Sequence, residues 1–325
     1  MIAPADGFGV ALRGPMTQSV PVLRIGTRDS PLALFQARQV QARLVAAHGF
    51  DASAVEICPI RTTGDLVSDR PLTAIGGKGL FTKEIDQALI DAAIDVAVHS
   101  AKDMPAVLPE GLMIAGYLPR EDARDAFIGR GAGRLADLDP GAVVGTASPR
   151  RHALVKRQRP DIVVTPLRGN VETRLAKLAG GGIAATVLAL AGLKRLGLAG
   201  HVSSILDPEE FVPAIGQGAI AIVARRADER TLARIAAIAD ATTATALAAE
   251  RAFLATLEGS CRTPIAGHAI VTAGDVQFHG MILRPDGSEV IATRRGGGHA
   301  EAAALGADAG RESKARAPAD FFTPE

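Results

Sequence analysis

Leu23-Arg24-Ile25-Gly26-Thr27-Arg28-Asp29-Ser30-Pro31 has the grammar of a short buried strand running into a capped helix. Ser30 is a good N-cap and Pro31 a good first helical residue, so the helix is expected to run to about His48. The same grammar returns at Val143-Val144-Gly145-Thr146-Ala147-Ser148-Pro149. In both places a strand is followed by Gly-Thr, a short turn, Ser-Pro and a helix. The next strand ends in Cys58-Pro59-Ile60-Arg61 in the first unit and in Thr165-Pro166-Leu167-Arg168 in the second. Each unit then supplies another helix and another strand. In the first, a helix starting near Leu80, with Phe81, Ile85, Ala88, Leu89 and Ala92 on one face, feeds a strand at 95–98. In the second, 171–178 precedes three glycines and a strand at 185–189.

Strands alternating with helices in two similar units imply an α/β fold with mainly parallel sheets. Ligands of such a fold lie in the cleft at the carboxyl ends of the strands. From about Asp240 the pattern changes. An Ala-rich helix at 242–257 leads to segments separated by the turn-formers Ala273-Gly274-Asp275 and Pro285-Asp286-Gly287, an antiparallel meander. A last helix at 300–315 would cover one face, giving a small α+β third domain. The expected division is an N-terminal extension at 1–21, a first domain at 22–118 and 217–237, a second at 122–212 and a third at 240–325. The segment 213–225, with its Gly216-Gln217-Gly218 turn, is expected to return the chain to the first sheet.

Composition sets the bounds on function. The chain has 325 residues, enough for two or three domains, and 47% of them are hydrophobic. With Tyr117 its only tyrosine and no tryptophan, the core must be built from Ala, Val, Leu and Ile. A net charge of only +1 excludes the global basic field of a general nucleic-acid binder. No apolar run reaches the roughly 18 residues of a membrane span, and two cysteines in unlike contexts make no disulfide framework. These features suit a reducing cytoplasm. The first 21 residues lack the pattern of a secretory signal and read as a disordered tail, with Met16 the expected biological start.

Candidate chemistry gathers at strand ends and helix starts: Thr27, Arg28 and Ser30; Arg61; Lys78; Ser100, Lys102 and Asp103; Thr146, Ser148, Arg150 and Arg151; Arg168 and Arg174; Lys194 and Arg195. Helix N-termini, hydroxyls and guanidinium groups converging on one cleft suit a polyanionic ligand. Arg157, Arg159 and Arg230 read instead as solvated helix faces. Gly76-Gly77-Lys78-Gly79 fails the phosphate-loop pattern, since Leu72 and Gly79 stand where a Gly and a Ser or Thr are required. The stretch 62–75 has little apolar periodicity and reads as a flap. His99 has no second ligand at metal-site spacing, so no metal is expected. Cys261, in the loop Leu257-Glu258-Gly259-Ser260-Cys261-Arg262-Thr263-Pro264, sits beside a guanidinium that favours its thiolate. From the residues alone three readings stay open. These are an enzyme, a two-lobed carboxylate-binding protein, and a thiol hydrolase needing a histidine such as His268.

The segments 24–33, Gly76-Gly77-Lys78-Gly79-Leu80-Phe81, Val98-His99-Ser100-Ala101-Lys102-Asp103-Met104-Pro105, Leu167-Arg168-Gly169-Asn170 and Leu257-Glu258-Gly259-Ser260-Cys261 together resemble the porphobilinogen deaminase family. The motifs stand in order over nearly the whole chain. The resemblance implies three domains, the first two like periplasmic binding proteins. It implies that four porphobilinogen molecules are condensed head to tail, with loss of ammonia, into the linear tetrapyrrole hydroxymethylbilane. It implies a dipyrromethane cofactor held by a thioether to Cys261, a monomer, and Asp103 as the catalytic carboxylate. By the same matching the cofactor would be bound by Ser100, Lys102, Gly145, Thr146, Ser148, Arg150, Arg151, Gly169 and Arg174. Substrate would meet Arg28, Ser30, Lys78, Arg168, Arg195 and Gln217. Each pyrrole carries an acetate and a propionate, which would account for the arginines, and the cation formed as the aminomethyl group leaves would need a nearby carboxylate rather than a metal. Asp29, Ala147 and Pro149 depart from the family pattern.

Overall fold

The computed structural model describes residues 21–66, 82–259 and 263–322. β1 (Leu23–Arg28) runs to Ser30, whose hydroxyl accepts the amide of Ala33 at 3.4 Å, and Pro31 opens α1 (Pro31–His48). The chain continues through β2 (Val55–Ile60), α2 (Thr63–Leu66), α3 (Lys83–Ile90), β3 (Val96–Ser100) and β4 (Leu112–Tyr117). A second unit follows with β5 (Asp125–Gly129), β6 (Val143–Gly145), α4 (Pro149–Gln158), β7 (Val163–Thr165), α5 (Val171–Ala179), β8 (Ala185–Ala189), α6 (Leu190–Arg195) and β9 (Ser204–Ile205). The chain then forms β10 (Ile220–Arg225) and α7 (Glu229–Ala236). It ends with α8 (Ala241–Thr256), β11 (Ile265–Thr272), β12 (Asp275–Leu283), β13 (Val290–Gly298) and α9 (Ala302–Arg316).

The duplication is visible in the sheets. The first has strand order β2-β1-β3-β10-β4 and the second β7-β6-β8-β5-β9. In each, three parallel neighbours are followed by one reversed strand: β10 runs antiparallel to β3 and β4, and β5 antiparallel to β8 and β9. Both sheets are therefore mainly parallel. Each reversed strand follows a crossover between sheets, at 118–124 before β5 and at 206–219 before β10. The third sheet, β11-β12-β13, is the expected antiparallel meander.

One helix differs from its sequence reading. α3 keeps Ile85 and Leu89 in the core, but Ala92 lies beyond its end, exposed and at φ 55°. The helix stops at Asp91, so the apolar periodicity outlasts the helical hydrogen bonding by one position. Leu80 and Phe81, where the helix was expected to begin, lie outside the described residues.

Packing joins the three units. Leu23, Ile25, Val96 and Val98 of the first sheet meet Val40 and Leu44 of α1 on one face. On the other face, Ala97, Ala221 and Val223 share a core with Ile85 and Leu89, and that core continues into Leu247, Phe253 and Phe278 of the third unit. The second sheet packs Phe127, Val144 and Val187 on Leu154, Val155 and Phe211, and receives Ala266, Met281 and Leu283 from the third sheet. α8 and α9 approach closely at Gly306, where an added Cβ would collide with the Ala249 carbonyl oxygen. Among the described residues no single helix is long and apolar enough to cross a membrane.

A buried ion pair fastens the third unit to the crossovers. Glu250 of α8 has no exposed surface, and its carboxylate accepts Arg120 Nη1 at 2.6 Å, Arg120 Nη2 at 3.2 Å, the Gly216 amide at 2.7 Å and the Ala269 amide at 2.8 Å. Arg120 Nε also donates to the Gln217 carbonyl at 2.9 Å. Removing one partner of such a pair strands the other charge out of water. Glu250→Gln is therefore expected to lower unfolding free energy by roughly 3–5 kcal/mol, read as a lower urea midpoint with an unchanged m-value.

Candidate active site

Three strand-end turns bring their charged side chains within electrostatic reach of one another. At the end of β3, Ser100 leads into a 3₁₀ turn, Ala101–Asp103, that presents half-buried Lys102 and Asp103. Beyond β6, Thr146 Oγ1 accepts the Ser148 amide at 3.2 Å and Ser148 Oγ accepts the Arg151 amide at 3.4 Å, so the start of α4 sets Arg150 and Arg151. Beyond β7, Asn170 caps α5 by accepting the Thr173 amide at 2.8 Å. Gly169, at φ 118°, turns its carbonyl to accept Arg174 Nε at 2.8 Å. That left-handed φ favours glycine, and an added Cβ would also lie 2.7 Å from Thr173. Gly145 has no such φ, but a Cβ there would press to 2.9 Å from Leu167.

The charges of these turns act on one another. Burial lowers the Lys102 ammonium to about 8, and the Arg151 charge adds to the shift against the opposing pull of Asp103 and Asp125. Burial likewise lowers Arg174 to about 10, helped by Arg151 and Arg168 and opposed by Asp103. Lys102, Arg150, Arg151, Arg168 and Arg174 thus share one electrostatic neighbourhood with Asp103 and Asp125, a surplus of cations. An anion with several carboxylates would relieve that repulsion. Arg150 Nε, buried, makes no hydrogen bond among the described residues.

Asp125, at the start of β5 and fully buried, is the counter-ion that sequence reasoning missed. Its carboxylate accepts Arg150 Nη2 at 2.7 Å, Arg151 Nη2 at 2.8 Å, Arg151 Nε at 3.0 Å and Gln217 Nε2 at 3.1 Å. Gln217 is itself fully buried and also donates to the Ala123 carbonyl at 2.7 Å. The two arginines placed on ligand carboxylates therefore already share an internal carboxylate, and the Gln217 amide is spent inside the protein. Burial alone would raise Asp125, but Arg150 and Arg151 outweigh it and hold the carboxyl below its usual range. A depressed carboxylate stabilises the fold above its unfolded pKa, and that contribution is lost as pH falls through the folded value. Asp125→Asn should thus cost roughly 3–5 kcal/mol at neutral pH and flatten the decline in stability below about pH 4. Urea melts from pH 7 to pH 3 measure both.

The remaining candidates are dispersed. Arg28 ends β1 and its charge, after burial, helps lower buried His99 to about 4. Ser30 caps α1, and Arg195 Nη2 donates to the Gly218 carbonyl at 2.7 Å. Lys194 pairs with Glu121 at 2.8 Å. Arg159, read as a solvated face, instead binds the carbonyls of Leu135, Ala136 and Leu138. His268 lies in β11, lowered by burial. Burial pushes the Cys58 thiol up, away from nucleophilic use. Cys261 and Lys78, and most of the expected flap, lie outside the described residues. Asp125 escaped detection because a single aspartate after the charged run Arg120-Glu121-Asp122-Ala123-Arg124 looks like part of an exposed turn.

Two family models cover most of the chain. Residues 23–233 match "Porphobilinogen deaminase, dipyromethane cofactor binding domain", and residues 244–315 match "Porphobilinogen deaminase, C-terminal domain". A porphobilinogen deaminase of Nitrobacter winogradskyi is 56% identical over 299 residues, covering 92% of this chain and 95% of the relative. One from Paracoccus denitrificans is 53% identical over 300 residues, covering 92% and 96%. The chain is also similar to the methionine-binding protein MetQ, at 15% identity and a TM-score of 0.43 over 66% of this chain and 89% of that one. With both family models matched in order and more than half of the aligned residues identical to these relatives, the chain belongs to the porphobilinogen deaminase family.

Proposed function

We propose that the chain is a transferase that condenses four porphobilinogen molecules head to tail, releasing ammonia at each step, to give hydroxymethylbilane for porphyrin and heme synthesis. The observation that carries this is the surplus of buried and half-buried cations around Asp103, in a chain whose first family model is a dipyrromethane-cofactor-binding domain. Each pyrrole of substrate or cofactor brings an acetate and a propionate, and the repulsion felt by Lys102 and Arg174 is what such groups relieve. When bound, the dipyrromethane supplies the pyrrole on which the chain grows. Cys261 is its proposed covalent anchor.

The protein's own residues then divide the work. Lys102, Arg151 and Arg174 neutralise cofactor carboxylates, with Thr146 and Ser148 adding polar contacts and Gly145 and Gly169 allowing close backbone approach. Arg150 and Gln217 act through Asp125, fixing the plane of the Arg151 guanidinium. Arg28, Ser30, Arg168, Arg195 and Lys78 meet substrate. Asp103 holds its carboxylate beside the carbon that becomes cationic as the aminomethyl nitrogen departs as ammonia, stabilising charge where it develops. A monomer is the expectation for this family, and two cysteines in unlike sequence contexts suit the reducing cytoplasm.

Incubation with porphobilinogen should release four ammonia molecules per linear tetrapyrrole formed. Binding without ammonia release would favour the two-lobed carboxylate-binding protein instead. Asp103→Ala should keep the wild-type melting temperature yet lose at least about 10²-fold in kcat, measured by product formation. Near-wild-type turnover would remove Asp103 from this role.

A further inference from the structure

Gln36 is a polar residue on the inner face of α1, only 2% exposed, among the apolar side chains Ala33, Ala37 and Val40. A buried primary amide needs partners, and this one spends both ends on a single hydroxyl. Gln36 Nε2 donates to Ser100 Oγ at 2.9 Å, and Ser100 Oγ donates to Gln36 Oε1 at 3.2 Å. A hydroxyl facing both ends of one amide has no choice of direction. Its single hydrogen goes to the amide oxygen and one lone pair takes the amide hydrogen, whichever way round the amide lies. One lone pair is left on Oγ. Ser100 is half-buried, at the end of β3, two residues before Lys102 and three before Asp103.

We propose that Gln36 is a positioning residue that fixes the Ser100 hydroxyl as a hydrogen-bond acceptor toward the cleft, so that Ser100 reads a pyrrole N–H and not a carboxylate. This deepens the porphobilinogen reading and rests on it. A hydroxyl free to rotate would donate to an acetate or propionate as readily as it accepts from a ring nitrogen. With its hydrogen committed to Gln36 it can only accept, and a carboxylate brought to it would meet lone pair against lone pair. The cations of the cleft are left to read the carboxylates, while Ser100 reads the ring.

The test is a double-mutant cycle on the protein as purified from cells, with Gln36→Leu, Ser100→Ala and both together. Calorimetry would measure binding of an unreactive porphobilinogen analogue with methyl in place of the aminomethyl group, and of its furan counterpart with ring oxygen in place of N–H. Each single variant should bind the pyrrole analogue about 5–10-fold more weakly than wild type, and the double variant within about twofold of Ser100→Ala. The furan, whose ring oxygen would meet the Ser100 lone pair, should bind the variants at least as well as wild type. Additive losses in the cycle, or equal losses for pyrrole and furan, would overturn the proposal. Gln36→Met, closer in shape, repeats the cycle if Gln36→Leu does not fold. Ammonia release by wild-type protein is assayed alongside. Its absence would defeat the functional reading itself, whereas its presence with an additive cycle defeats only the part given to Gln36.

Discussion

The site depends on one buried carboxylate where the two crossovers meet. Asp125 begins the reversed strand of the second sheet, Gln217 sits just before the reversed strand of the first, and the two are joined by a hydrogen bond of 3.1 Å. Asp125 also holds Arg150 and Arg151 at the start of α4. One side chain therefore fixes the junction between the lobes and the direction of two guanidinium groups. Such a knot costs desolvation of three charges, and the reward is geometry more than stability. Nearby, Glu250 ties the third unit to the same crossovers through Arg120 and the Gly216 amide. The third unit is thus anchored to both crossovers.

Around this knot the cleft is left short of negative charge. Lys102 and Arg174 are both depressed, burial first and the Arg151 charge second. A protein that crowded this many cations together without a ligand would carry the cost for nothing. A chain of pyrroles bearing acetates and propionates is the complement, and membership of the porphobilinogen deaminase family supplies that ligand class. Asp103 is the carboxylate of this neighbourhood for which no hydrogen bond to an arginine is formed among the described residues, unlike Asp125. The role proposed for it, beside a positive charge that appears only during reaction, requires a carboxylate of that kind.

Much of this was legible in the sequence, and the reasons are local. Ser30-Pro31 and Ser148-Pro149 announce α1 and α4 because capping and proline geometry act within a few residues. The placement of Lys102, Asp103 and Arg168 just beyond strand ends, and of Arg174 near the start of α5, follows from the α/β alternation. What stayed hidden is long-range. Asp125 and Gln217 are 92 positions apart, and Gln36 and Ser100 are 64 apart. Each side chain is ordinary in its own segment, and only folding reveals that its polar group is buried against a partner. The reversed strands belong to the same class, since direction within a sheet is set by crossovers that no local pattern records. The end of α3 failed for the opposite reason: Ala92 continues the apolar period, but the backbone has already turned.

If the cleft is built around a permanently attached pyrrole pair, the protein leaves the cell already carrying it. Intact-mass measurement on freshly purified protein should show one covalent adduct of two pyrrole rings with their acetates and propionates, and Cys261→Ser protein should lack it. An unmodified Cys261 in fully active wild-type protein would contradict the account.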